Sequence, residues 1–274
     1  MKTIAKPFAG MIVVFMLFLA SSSVAQTTPH CTNETFQGRY AFQITGIAGG
    51  SFQTAFVFNI IADGHGVIPS GGGAQGFPGF IINNITLTGT YSVNADCSGQ
   101  LTVTSNDGDV GIENFVLMDG GSRLVLIDDI PGDVLSGEGE RISRNPETHC
   151  TNRLVRGTYS LKETGIEDGN ALFSFVGKFT ADGKGNGSNG SGTIADGPVI
   201  VNNLPFSVHF SVNADCSGTL ALANVPPNFE AKTFNIAVLE DGKKLFLIDT
   251  DTDGDIESAV AQRLTGSDDS DEDR

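Results

Sequence analysis

The chain has 274 residues, and its 16 basic and 32 acidic side chains set a formal charge of −16. A nucleic-acid reader needs a basic footprint, which the chain lacks, and the same charge disfavours anionic membrane surfaces. The absence of tryptophan argues against an immunoglobulin-type core.

In chain order, residues 1–25 read as a secretory signal peptide. Lys2 and Lys6 form the positive region, Phe8 to Ala20 is apolar, and Ser23-Val24-Ala25 supplies a small-x-small cleavage site. The apolar run is shorter than the roughly 20 residues a spanning helix needs. No cysteine near the cleavage site marks a lipid anchor, and no later stretch reads as a membrane span. The expectation is a secreted or periplasmic protein, and removal of the two lysines takes its formal charge from −16 to −18.

The rest of the chain is a duplication. Tyr91 to Gly99 reads YSVNADCSG and Phe210 to Gly218 reads FSVNADCSG, eight consecutive identities at a spacing of 119. At the same offset Cys31-Thr-Asn matches Cys150-Thr-Asn, Gly38-Arg-Tyr40 matches Gly157-Thr-Tyr159, and Ala62-Asp-Gly64 matches Ala181-Asp-Gly183. After the central motif the offset is 121, where Leu126-Ile-Asp128 matches Leu247-Ile-Asp249. Repeat 1 covers 30–143 and repeat 2 covers 149–265, joined by the polar linker 144–148. Few contacts need cross that linker, so the halves are expected to fold independently. The tail, residues 266–274, is acidic, without apolar residues, and reads as disordered.

Within each repeat the hydrophobic period is two. Ile85, Leu87, Gly89, Tyr91, Val93 and Ala95 share one face of a long strand, with Thr86, Thr88, Thr90 and Ser92 on the other. Tyr40, Phe42 and Ile44 alternate likewise, as do Phe56, Phe58 and Ile60. Turn signals between the runs predict eight strands per repeat, near 38–46, 52–62, 66–74, 80–95, 98–105, 111–118, 123–129 and 133–142. Short links imply an antiparallel meander, and closure removes its edges. The expected fold is all-β: two tandem antiparallel eight-stranded up-and-down β-barrels, with two β-sandwiches as the alternative.

Four cysteines in an exported chain read as disulfides, and the duplication selects Cys31 with Cys97 and Cys150 with Cys216. In an up-and-down meander Cys31 and Cys97 lie at the same end, so the segment at Cys31 should cross beneath the barrel and close its base.

The set G-x-Y, A-D-G and Y-S-V-N-A-D-C-S-G resembles an uncharacterised family of exported bacterial proteins, over both repeats. The barrel plan is similar to calycin and allene-oxide-cyclase-type barrels, in architecture only. The lipocalin G-x-W signature is absent, so the resemblance assigns no ligand and no activity to named residues.

No motif specifies a chemistry, and no cofactor is expected. The glycine runs lack the Lys-Ser/Thr pair of a phosphate loop, and the four histidines are scattered. Asp249, Asp251 and Asp253 match the first half of a calcium loop, but the twelfth position is Val260 instead of glutamate. An acidic turn is the plainer reading. Glu163 replaces Ile44 at an inward position, where a buried carboxyl could serve as acid or base. With the strand expected to end at Thr164-Gly165, Glu163 should escape at the rim. The inward aromatics Tyr40, Phe42, Phe56, Phe58, Tyr91, Tyr159, Phe175, Phe179 and Phe210, with Phe173 and Phe206, either fill the cores or line a pocket. The leading functional expectation is a non-enzymatic exported binding module holding a small apolar ligand inside a barrel. The alternatives are a structural or cell-surface interaction protein with solid barrels, and a barrel isomerase or cyclase with a polar pair beside Glu163. The expected partner is a small apolar ligand or a protein.

Overall fold

The computed structural model describes residues 30–145, 147, 149–167, 171–226, 231–251 and 255–264. The expected leader, the acidic tail and Asp253 lie outside the described residues. Barrel 1 is built from β1 (Gly38–Ala48), β2 (Phe52–Ala62), β3 (Val67–Phe77), β4 (Phe80–Val93), β5 (Ser98–Ser105), β6 (Val110–Met118), β7 (Arg123–Asp128) and β8 (Val134–Ser143). Barrel 2 repeats it with β9 (Arg156–Glu167), β10 (Ala171–Asp182), β11 (Asn186–Asp196), β12 (Val199–Val212), β13 (Ser217–Ala223), β14 (Thr233–Leu239), β15 (Lys244–Asp249) and β16 (Ile256–Arg263). Within each barrel every strand pairs antiparallel with its neighbour in sequence. Closure comes from β1 on β8 and β9 on β16, so both sheets are barrels and the sandwich alternative is set aside.

One end of each barrel is sealed. In barrel 1 a 3-10 turn, Asn33–Phe36, runs under the strands and lifts Phe36 into the interior. Its ring centroid lies 4.4 Å from that of Tyr40, 5.0 Å from Tyr91 and 5.2 Å from Phe115. The Tyr40 hydroxyl donates to Gly121 O at 2.5 Å. Gly121 has a φ of +79°, and a Cβ there would lie 2.1 Å from Thr35 O, so only glycine lets the β6–β7 turn close onto the plug. Disulfides join Cys31 to Cys97 and Cys150 to Cys216 at these bases, with Cα atoms 4.9 Å apart in each. The opposite end of barrel 1 is a mouth formed by the hairpins after β1, β3, β5 and β7.

The repeats are docked, against the expectation of few contacts between them. Ala41, Ala55, Val57 and Ala74 on the outside of β1–β3 pack against Ala237, Leu239, Phe246 and Ile248 on the outside of β14 and β15. Gln43 Nε2 donates to Leu247 O at 2.7 Å and to Ala259 O at 2.9 Å. Lys244 Nζ lies 2.5 Å from Glu140 Oε1 and 3.4 Å from Glu138 Oε1. Arg39 and Asn59 both donate to Asp215 O, each at 3.2 Å. The sequence hid this interface because small residues on the outward phase of a strand look the same whether a partner or water covers them. No helix among the described residues is long and apolar enough to cross a membrane.

Candidate functional site

The upper half of barrel 1 is hollow. A cavity of about 340 Å³ opens at the mouth and is walled by Ile44, Phe56, Phe58, Ile85, Leu87, Val103 and Leu135. That volume is within the range of small-molecule sites. One wall is polar. Glu113 on β6 sits opposite Asp128 on β7. Its side chain points inward because Phe115 and Leu117, two and four residues on, are core residues.

Glu113 is only 7% exposed. Its Oε2 has no hydrogen-bond partner among the described residues. Burial, and then the charge of Asp128, push its pKa up to about 8, so it is mostly protonated at neutral pH and presents an O–H donor to the cavity. The Asp128 pKa is also raised, by burial first, although its Oδ1 accepts Ile130 N at 2.8 Å. Asp107, Asp109 and Asp133 add carboxylates at the mouth. An anionic ligand meets repulsion on entry. A neutral or cationic one does not.

The same place in barrel 2 is filled. Strand pairing fixes the equivalence: Phe234 pairs with Asp249 as Glu113 pairs with Asp128, and Gly165 pairs with Glu257 as Gly46 pairs with Leu135. Leu222 N bonds Lys232 O, where barrel 1 pairs Val103 with Gly111. Barrel 2 therefore carries Glu163, Lys232, Phe234 and Glu257 where barrel 1 carries Ile44, Gly111, Glu113 and Leu135. The Lys232 ammonium bonds Glu257 directly, lies 3.7 Å from Asp255 and 3.9 Å from Asp249, and rests 4.2 Å from the Phe173 ring centroid. The void that remains is about 30 Å³, space for about two waters.

Glu163 is not at the rim. It is 1% exposed, inside the barrel, because β9 continues to Glu167 instead of ending at Gly165. It is hydrogen-bonded to Glu257, whose pKa is driven up by burial and then by Glu163. Two carboxyls in such contact do not both ionise, so at neutral pH they share a proton. Burial lowers the Lys232 pKa, but Glu163, Glu257 and Asp249 outweigh it and hold the ammonium above its ordinary range. Burial raises Asp249 to about 8 despite Lys232. Glu163, Asp249 and Glu257 are the one carboxylate group among the described residues close enough to share a metal ion, and Lys232 brings its own cation into the group.

Of the aromatics singled out from the sequence, Phe56 and Phe58 line the cavity. Phe42 lies behind Phe58, stacked at 4.8 Å, while Tyr40 and Tyr91 pack on the basal plug. In barrel 2 Tyr159 stacks on Phe179 at 5.5 Å, and Phe175 and Phe210 are buried in a filled core. Asp249 turns into barrel 2, its Oδ1 accepting Asp251 N at 2.8 Å, and Asp251 Oδ2 accepts Thr233 N at 3.1 Å. Sequence reasoning passed over Glu113, Lys232 and Glu257. Strand parity was the available signal for each, since Glu113 alternates with Phe115, Lys232 with Phe234, and Glu257 with Ala259.

No family model matches the chain, and no curated protein matches it. Among solved structures the chain is similar to a protein of unknown function from the DUF3598 family of Nostoc punctiforme. Identity is 9%, over 85% of this chain and 99% of that one, with a TM-score of 0.27. A superposition that loose carries no argument about fold or site, and the motif-based family resemblance rests on the sequence alone.

Proposed function

We propose that this protein is an exported, non-enzymatic binding module. Its first barrel holds one small, largely apolar molecule whose neutral or cationic polar end meets Glu113, and its second barrel is a solid support. The observation that carries this reading is the contrast at one register position: about 340 Å³ open beside Gly111, about 30 Å³ left beside Lys232. The leader pattern and the paired cysteines support export, and a calycin-like plan is consistent with a ligand held inside the barrel. The isomerase or cyclase reading asked for a polar pair beside Glu163. The pair exists, but Lys232 and the rings of Phe173 and Phe175 leave no room there for a substrate.

The test replaces Gly111 with lysine. The backbone there is not left-handed, and the nearest atom to a new Cβ is Glu113 Oε1, the movable end of a side chain. Gly111→Lys should therefore fold and place an ammonium beside Glu113 and Asp128, as Lys232 is placed in barrel 2. Titration with the neutral fluorophore N-phenyl-1-naphthylamine should saturate at one site per wild-type chain. The variant should bind it at least tenfold more weakly with an unchanged circular dichroism spectrum. Equal binding by both proteins, or none by the wild type, would sink the proposal.

A further inference from the structure

The barrels dock through two different faces. Barrel 1 offers the outside of β1–β3, centred on Ala41, Ala55 and Val57, and barrel 2 receives it on the outside of β14–β16, centred on Ala237, Phe246 and Ile248. Because the barrels are copies in register, each carries both faces, and one of each is left uncovered.

On barrel 1 the uncovered face is centred on β6 and β7 and ends at β8, whose Glu138 and Glu140 already hold Lys244 of barrel 2. Val116 pairs with Val125 as Ala237 pairs with Phe246, and Ile127 pairs with Ser136 as Ile248 pairs with Ser258. Val116, Val125 and Ile127 thus stand where barrel 2 has its docking residues, yet they are 46%, 47% and 57% exposed. They border an open saddle of about 960 Å³ walled by Ser98, Gln100 and Asn114. The equivalent strands of barrel 2, through Ser217, Thr219 and Asn235, wall the cleft between the docked barrels. On barrel 2 the uncovered face is β9–β11. There Val176 pairs with Lys162 as Val57 pairs with Gln43, and Val176 is 58% exposed.

We infer that this chain self-associates head to tail. The β9–β11 face of one copy seats on the β6–β8 face of the next, repeating the contact already made between its own barrels. The occupant is a second copy because two polar contacts of the internal interface have counterparts on the free faces, although its Lys244–Glu140 ion pair does not, Gln262 standing at the Glu140 position. Gln43 donates to the carbonyls of Leu247 and Ala259. Its register equivalent Lys162 would meet those of Leu126 and Gly137, next to Glu138, a part-exposed carboxylate that also lies 3.4 Å from Lys244. Asn59 donates to Asp215 O, and its equivalent Lys178 would meet Asp96, which holds the same place in the central motif as Asp215. Two exposed lysines thus face an acidic strip across a valine–isoleucine centre, a charge match that favours this pairing over contact of either face with itself. The internal contact is heterologous, so its repetition leaves a free face at each end and builds chains or rings instead of a closed symmetric dimer. Ser160 and Ser174 replace Ala41 and Ala55 on the donor face, so the intermolecular contact is weaker than the tethered one.

Sedimentation of the full exported chain from about 10 µM to about 1 mM, a range spanning micromolar to millimolar dissociation, tests this with two surface variants. Val125→Glu sets a carboxylate beside Glu138 on the receiving face, and Val176→Glu sets one beside Lys162 on the donor face. The wild type should grow past dimer with concentration, and each variant alone should stay monomeric. An equimolar mixture should form a dimer and stop there, because each variant keeps one intact face of opposite kind. A wild type monomeric up to about 1 mM, a Val176→Glu protein that still associates, or a mixture that stays monomeric each overturns the inference. Far-ultraviolet circular dichroism and non-reducing electrophoresis check that the variants are folded.

Discussion

Replacing Glu113 by glutamine should abolish the pH dependence that this one carboxyl imposes on barrel 1. The folded protein keeps the proton up to about pH 8, whereas a carboxyl at its ordinary value of 4.5 releases it much earlier. Between those values the folded state binds the extra proton, so its stability falls as pH rises. This contribution is fully present below about pH 4.5 and lost on passing pH 8, the reverse of a salt-bridged carboxylate. At 1.36 kcal/mol per pH unit, the loss approaches about 5 kcal/mol above pH 8 and about 3 kcal/mol at pH 7. Glu113→Gln keeps shape and hydrogen-bonding capacity but cannot ionise. Its stability relative to wild type should therefore be nearly flat below pH 5 and climb by several kcal/mol to pH 9. Urea unfolding at pH 5, 7 and 9, followed by tyrosine fluorescence, reports mainly on barrel 1 through Tyr40 and Tyr91. Glu257 and Asp249 titrate in both proteins and cancel in the difference. A difference that does not change with pH would refute the reasoning. It would mean that the Glu113 carboxylate is solvated or neutralised, and the cavity would lose its neutral donor.

Lys232→Met leaves Glu163, Glu257, Asp249 and Asp255 around a missing cation and should cost barrel 2 about 3–5 kcal/mol at pH 7. Melts at pH 4 should show a smaller loss, since protonated carboxyls need no cation; an equal loss would assign Lys232 to packing on Phe173. Replacing Cys31 and Cys97 together by serine opens a loop of 66 residues and should destabilise barrel 1 by about 4 kcal/mol. Limited proteolysis should then cut barrel 1 first, and simultaneous loss of both barrels would mean that the docked interface makes them one cooperative unit.

The barrels themselves were legible from sequence. Period-two alternation located the strands, the repeat doubled every signal, and the shared end of Cys31 and Cys97 fixed the direction of the meander. The interior charges were legible only as parity. That Glu113 or Lys232 points inward follows from its neighbours, but what it meets is set by register around a closed sheet, which brings Lys232 beside Glu163 from about 70 positions away. Glu163 was misjudged for a local reason: Thr164-Gly165 looks like a strand end, yet Gly165 pairs on both sides, with Phe173 and with Glu257. Glycine is needed there, since a Cβ would come within 2.5 Å of Glu257 Cγ. The docking face was least legible, because Ala41, Ala55 and Val57 carry no signal that separates a covered strand face from a wet one.

The way the interiors diverged explains why one barrel is hollow and the other is not. Lysine at the Gly111 position of barrel 1 would bury an ammonium beside Glu113 and Asp128 only. In barrel 2 it comes with Glu163 and Glu257, which share a proton, and with Phe234 in place of another carboxyl. The ammonium therefore meets the negative charge that Glu163 and Glu257 share, while burial raises the Asp249 pKa to about 8 and leaves that carboxyl mostly protonated at neutral pH. Such a network is costly to break at any one member, which suits a barrel whose outer face must hold its shape against a neighbour. Barrel 1 avoids the network by carrying glycine and two aliphatic residues at three of the four positions. The fourth, Glu113, keeps its proton because burial, and then the charge of Asp128, disfavour its carboxylate. The cavity and the neutral acid both go with glycine at position 111, and Gly111→Lys should remove both together.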